Sequence, residues 1–207
     1  TVELNETFEG ALSSITMTSA VQVAAISLSA SPQTATITND DAANVSIAAN
    51  VSQAENLSPQ IFTITLSNPV DVPVTVQFTT ADNTATDADN DYEPVAPANQ
   101  TVSFLANTTM AQTINVTVNN DNKVEADEVF NVSIGTLAAS SRNVTFGTSS
   151  RTGTIINDDA ATVTLSAAAS PLQFPEGNSG TTNFVFTATL NNPVQGGFQI
   201  AYTTSDG

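Results

Sequence analysis

In 207 residues the chain carries 20 Asp and Glu against 3 Lys and Arg, a net charge of −17, with no His, Cys or Trp. That excess excludes nucleic acid and anionic lipid as partners, because both demand a basic face, and the missing cysteines exclude disulfides and thiolate metal sites. No apolar run approaches the roughly 20 residues of a membrane span, while a hydrophobic fraction of 40% suffices for a core.

The first stretch, 1–41, opens on "VELNETFEG", with Glu3 and Glu6 ahead of an apolar alternation, and closes on "TATITNDD", which ends in Asp40 and Asp41. From residue 42, period-2 alternation predicts strands near 44–50, 60–67, 73–80, 100–105, 111–118, 128–135 and 151–157. Turn chemistry separates them: Asn68-Pro69, the Asp/Asn/Pro-rich stretch 82–99, "NNDN" at 119–122 and Gly147. Seven short strands without a helix predict an all-β, immunoglobulin-like Greek-key sandwich. Phe62, Phe78, Phe104, Phe130 and Phe184 fall at inward strand phases and are expected in the core. Beyond residue 160, "FPEGNSGTTNFVFTATLNNPV" at 174–194 restarts the pattern.

The chain repeats itself. "TATITNDDAANVSI" (34–47) returns as "TGTIINDDAATVTL" (152–165), offset by 118, and "FTITLSNPV" (62–70) returns as "FTATLNNPV" (186–194), offset by 124. Glu3 and Glu6 return as Glu125 and Glu128, offset by 122. A period of about 120 residues implies a string of domains, since solenoid repeats are far shorter. The expected division is the tail of one unit (1–41), a complete unit (42–159) and the head of a third (160–207). The tail supplies two strands and the head three, so neither closes a core. That predicts a window of a longer exported chain, or ends completed by strands from other subunits.

On this strand map the acids gather. Glu55 lies in the first connection of the complete unit. Asp82, Asp87, Asp89, Asp91 and Glu93 lie in the third-to-fourth connection. Asp121, Glu125, Asp127 and Glu128 lie in the fifth-to-sixth, and Asp158 and Asp159 follow the last strand. In an antiparallel sandwich these segments all emerge at one pole. Carboxylates gathered without bases repel one another unless a cation neutralises them. Hard oxygen donors without His or Cys specify Ca²⁺ over zinc or copper. A merely solvated acidic surface is the plain alternative, but it would also decorate the strand faces.

"AEN" (54–56), "TTADNTATDADNDYEP" (79–94), "VNNDNKVEADEVF" (118–130) and "TIINDD" (154–159), in that order, resemble the Calx-beta domain of sodium–calcium exchangers, integrin β4 and large bacterial surface proteins. The resemblance extends over essentially the whole chain. It implies Ca²⁺ ligation by Glu55, Asp91, Asp121, Glu125, Glu128, Asp158 and Asp159, with the main-chain carbonyl of Lys123 as a further ligand. Asn120 and Asn157 stand where exchanger domains carry aspartates, which implies fewer ions or weaker binding. The Lys123 ammonium would weaken the site further. By the same resemblance Glu3, Glu6, Asp40 and Asp41 form half a site, and Glu176 begins another.

Catalysis has little to work with. Without His or Cys, a Ser or Thr nucleophile has no imidazole base, and a glycosidase carboxylate pair would lack aromatic sugar platforms at 6% aromatic content. Asn-x-Ser/Thr triplets begin at Asn5, Asn44, Asn50, Asn56, Asn99, Asn107, Asn115, Asn131 and Asn143. They would be glycan acceptors in a eukaryotic secreted protein, but the scarcity of Lys and Cys reads as a bacterial surface protein, where they are chance. The expected function is a non-enzymatic, extracellular structural or adhesion module. Its Ca²⁺ would stiffen a tandem rod at the joints, with neighbouring repeats or other subunits of a surface assembly as partners. A regulatory Ca²⁺ sensor that changes inter-domain geometry is the alternative.

Overall fold

The structure, a computed structural model, describes residues 1–16, 32–95, 100–169 and 173–206. Asn99 of the glycosylation triplets lies outside the described residues. The middle of the chain forms β3 (Ala43–Ile47), β4 (Val51–Ala54), β5 (Gln60–Leu66), β6 (Val74–Ala81), β7 (Thr101–Phe104), β8 (Gln112–Val116), β9 (Glu128–Ala138), β10 (Val144–Phe146) and β11 (Ser150–Ile156). They build two facing sheets, ordered β10-β3-β5-β8 and β4-β11-β9-β6-β7. Val, Ile, Phe and Thr favour a half-buried pleat, and alternate residues of "QIFTITL" in β5 and "EVFNVSI" in β9 turn inward.

Two strands go beyond the seven expected. The first expected strand, 44–50, ends early at Ile47 as β3, which pairs with β5 in one sheet, while β4, just beyond the expected span, crosses to the other sheet and pairs parallel with β11. At the far end β10 pairs parallel with β3, and β11 returns to the opposite sheet. Short polar breaks allow these crossings, each of which covers a sheet edge that would otherwise stand open. Neither piece is long enough to register as an alternation by itself.

The core holds Phe62, Phe104, Phe130, Ile47, Ile64 and Ile114, all at most 1% exposed. Tyr92, from the β6–β7 connection, stacks on Phe130 with centroids 4.6 Å apart and donates its hydroxyl to Asp82 Oδ1 at 2.7 Å. An acidic loop is thereby nailed to the core. Gly153 permits the close approach of β11 to β9, since a Cβ there would lie 2.4 Å from Phe130 Cζ.

The flanking segments form two strand pairs. β1 (Glu6–Gly10) pairs antiparallel with β2 (Gln33–Ile37), and β12 (Val163–Ala167) with β13 (Phe186–Leu190). Glu6 faces Ile37 as Glu128 faces Ile155, and Val163 faces Leu190 as Val45 faces Leu66. The third strand expected of 160–207 does not form among the described residues. Its counterpart β6 is held by β7 and β9, and the described residues offer this segment no such partners. For the same reason Phe184 is not core: it is 49% exposed and meets Phe174 edge-on at 5.4 Å.

Candidate metal centre

Four segments meet at one pole of the sandwich. β4 runs into a short 3₁₀ turn, Glu55–Leu57, and its parallel pairing of Ala54 with Ile156 sets Glu55 beside the residues that follow β11. The β6–β7 loop is tied to the end of β8 by a Tyr92–Val118 bridge and by the Asn119 amide, which donates to the Asp91 carbonyl at 3.0 Å. That tie brings Asp91 to the β8–β9 loop. Glu128, the first residue of β9, completes the ring.

Glu55, Asp91, Asn119, Asp121, Glu125, Glu128 and Asn157 line a cavity of about 10 Å³, room for one water-sized or ion-sized sphere. Two carboxylate triplets stand around it. One oxygen each from Glu55, Asp121 and Asp159 lie within 4.8 Å of one another, and the same holds for Asp89, Asp91 and Glu125. Only the second triplet has a counter-charge. Lys123 Nζ contacts Asp89 Oδ2 at 2.8 Å and also Glu125 Oε1.

The other basic residues are engaged elsewhere. Arg142 grips Asp71 with two bonds of 2.7 Å, and Arg151 donates to the carbonyls of Ile47 and Ala48. No side-chain cation therefore remains for Glu55, Asp121 and Asp159. Glu55 Oε1 and Asp159 Oδ2 are buried without a hydrogen-bond partner. An orphaned buried acceptor is costly, and three carboxylates gathered around buried Glu55 need positive charge. An all-oxygen donor set of this kind fits a hard divalent cation.

The acids respond as crowded, buried groups do. Desolvation, then contact with Asp158 and Asp159, raises Glu55 to about 7. Desolvation, with the Glu128 carboxylate adding to it, raises Asp91 to about 6. The carboxylates of Asp89 and Glu125 raise Lys123, which stays charged.

A carboxyl group whose folded pKa is raised favours the fold while protonated. Its contribution is full below the unfolded values of about 4.3 for Glu and 3.9 for Asp, and is lost as pH rises through about 6 and 7. The folded chain binds more protons than the unfolded one across that window, so stability falls with rising pH. Thermal melts in chelator should therefore give a midpoint that drops between about pH 5 and pH 8. A midpoint that climbs over that range contradicts the burial of these acids.

Of the residues expected from the sequence, Glu55, Asp91, Asp121, Glu125, Glu128 and Asp159 converge. Asp158 is exposed, its Oδ2 accepting from Asn56 Nδ2, yet its carboxyl also meets Glu55. The Lys123 amide donates to Asp121 Oδ1 at 2.7 Å, shaping the loop from within. Glu176 is exposed, and no described carboxylate joins it in a cluster. Asn119, not Asn120, lines the cavity. Asn120 instead reaches the neighbouring Asp121 carbonyl, whereas Asn119 is tied to the Asp91 carbonyl through its own amide. Asp89 was not expected, and its signal was Lys123, the one base among these acids.

The backbone around the acids at the start of the chain has the same frame. Asn157 accepts from the Glu125 amide at 2.9 Å, donates its Nδ2 to the Asp159 carbonyl at 3.0 Å, and gives its own amide to Asp127 Oδ1 at 3.2 Å. Asn39 makes the corresponding bonds to Glu3 at 3.4 Å, Asp41 at 3.0 Å and Asn5 at 2.8 Å. Glu6, Asp40 and Asp41 are exposed, Glu3 is half-buried, and Asp41 pairs with the N-terminal amine at 3.1 Å.

The family model described as "Calx-beta domain" matches residues 38–160. The chain belongs to the Calx-beta domain family. The match spans β3 to β11 and both carboxylate triplets, so the metal-centre candidate lies wholly within the Calx-beta segment. None of the curated proteins matches the chain. Among solved structures, the apo-form Calx CBD1 domain is 19% identical and covers 57% of this chain and 100% of its own, with a TM-score of 0.50. CBD12 from CALX1.2 is 20% identical over 56% of this chain and 44% of its own, at 0.49. The calcium binding domain CBD12 of CALX1.1 is 19% identical over 58% and 49%, at 0.46. The chain thus spans about half the length of the two CBD12 chains. The likeness to the CBD1 domain speaks for the Calx-beta fold alone.

Proposed function

We propose that this chain is a non-enzymatic calcium-binding module of a surface rod, built from tandem Calx-beta units with an ion at each joint. The observation that carries the reading is the triplet of Glu55, Asp121 and Asp159, three gathered carboxylates, two of them (Glu55 and Asp159) with buried orphan oxygens, and no side-chain cation to serve them. Asp91, Glu128 and the Asn157 side-chain oxygen add further oxygen donors to the lining. Calcium there would supply charge neutralisation, a structural service rather than a chemical step.

Lys123 holds the second triplet with its own ammonium, so the strong demand for an ion is confined to the first. That favours a modest, extracellular-type affinity, on the order of 10⁻⁴–10⁻³ M, and hence a structural role at the cell surface. The tandem reading is supported by the recurring strand registers and by the bonds of Asn39 that match those of Asn157. Neighbouring repeats, or other subunits of a surface assembly, are the partners it implies.

A regulatory sensor is the second reading. It is favoured by one contact, Gln195 Nε2 to Glu128 Oε1 at 3.0 Å, which joins the site to the segment after residue 160. Small-angle scattering on the whole chain separates the two. A rod module holds its maximum dimension at micromolar calcium and tightens only near millimolar, whereas a sensor changes shape in the micromolar range. Indifference to calcium at every concentration contradicts both.

A further inference from the structure

The acidic loops do more than face the pole. Val2, one residue ahead of Glu3, is fully buried and belongs to the core of the sandwich that follows it. It forms a parallel bridge with Val70, donating its amide to the Pro69 carbonyl at 2.8 Å and accepting from the Asp71 amide at 3.1 Å. Val124, one residue ahead of Glu125, repeats this with the next segment. It bridges Val194, donates to the Pro193 carbonyl at 3.0 Å and accepts from the Gln195 amide at 2.9 Å.

The receiving turn is braced in the same way each time. Asn68 Nδ2 donates to the Ala42 carbonyl at 2.7 Å, and Asn192 Nδ2 to the Ala160 carbonyl at 2.8 Å. Both carbonyls belong to the residue directly after the paired aspartates. "V-E-x-N/D-E" on one side thus meets "N-P-V" on the other, twice in one chain.

We propose that Val2 and Val124 are plugs, each seated in the Asn-Pro-Val turn of the following unit, and that this backbone latch sets the angle between units without an ion. The inference rests on the tandem reading above. The partner of each acidic loop is the next unit of the same chain, recognised by two main-chain hydrogen bonds and one apolar side chain. The residue after the turn makes the two joints different. Asp71 is held back by Arg142, whereas Gln195 reaches the Glu128 carboxylate. The second joint is therefore the one in which the next unit touches the ion site.

The natural absence of cysteine makes the test clean. Spin labels on Thr36→Cys and Ser103→Cys report the first joint, and labels on Ser103→Cys and Thr189→Cys the second. Distance distributions are recorded on the whole chain in chelator. Val2→Asp should broaden the first distribution and leave the second narrow, and Val124→Asp should do the reverse. Where Val2→Asp unfolds the sandwich, Val2→Ala decides, because it keeps the main-chain bonds and adds no charge; it should broaden the first distribution more weakly. Distributions that stay at parental width in folded variants overturn the latch. Because no calcium is present, the latch can stand while the ion site fails in a titration, or fall while the site binds.

Discussion

Melted in chelator and again in about 10 mM Ca²⁺, the chain should gain a large upward shift of its midpoint. An ion bound by the folded state alone adds RT ln(1 + [L]/Kd), about 2.7 kcal/mol at a hundredfold excess over Kd. For a sandwich of this size that is a shift on the order of 10 °C. The source of the gain is specific. Glu55 and Asp159 have buried oxygens without partners, and Asp121 adds a third charge within 4.8 Å. Mg²⁺ should do much less, since it demands a small octahedral shell and releases its waters reluctantly. An unchanged midpoint in calcium would remove the ion from the account.

Glu55→Gln should have the largest effect of any single substitution at the pole. It keeps the shape of a side chain that is 5% exposed and deletes one charge. Breaking one side of a buried charge interaction costs about 3–5 kcal/mol, so calcium affinity should fall by at least about a hundredfold. In chelator the sign reverses. Burial holds the Glu55 pKa near 7, so at about pH 8 the parent keeps a buried, uncompensated carboxylate. The amide does not, and its chelator midpoint should equal or exceed the parent's. Glu125 is a poorer probe, because Lys123 pairs with it and its removal would leave that half-buried ammonium to Asp89 alone. A Glu55→Gln chain that keeps the parent's calcium shift would show that this triplet is not the site.

Much of this was legible in the sequence, for physical reasons. Strands β5, β6 and β9 each have one solvent face and one core face, so their alternation is written plainly. β4, just beyond the first expected strand, was not. Val51–Ala54 is four residues, and what makes it a strand is a parallel partner about a hundred positions away. The third strand expected of the last segment fails by the same logic, since alternation supplies a face but not a neighbour.

At the site, the gathering of acids followed from topology alone, because alternate connections of an antiparallel sandwich leave at one end. Which oxygens point inward did not. Asp158 and Asp159 are adjacent, yet Asn56 holds one at the rim while Asn157 turns the chain so that the other enters. Asn119 lines the cavity in place of Asn120 because its amide is bonded to the Asp91 carbonyl. Val124 gave no sign at all, since a valine between charged residues carries no pattern until the segment it plugs is folded beside it.

The most direct measurement is a calorimetric titration of Ca²⁺ into the chelator-stripped whole chain at about pH 7. The account predicts saturable binding with a dissociation constant on the order of 10⁻⁴–10⁻³ M, accompanied by proton release as Glu55 ionises. Heats no larger than the dilution of calcium into buffer, with no protons released, would contradict it.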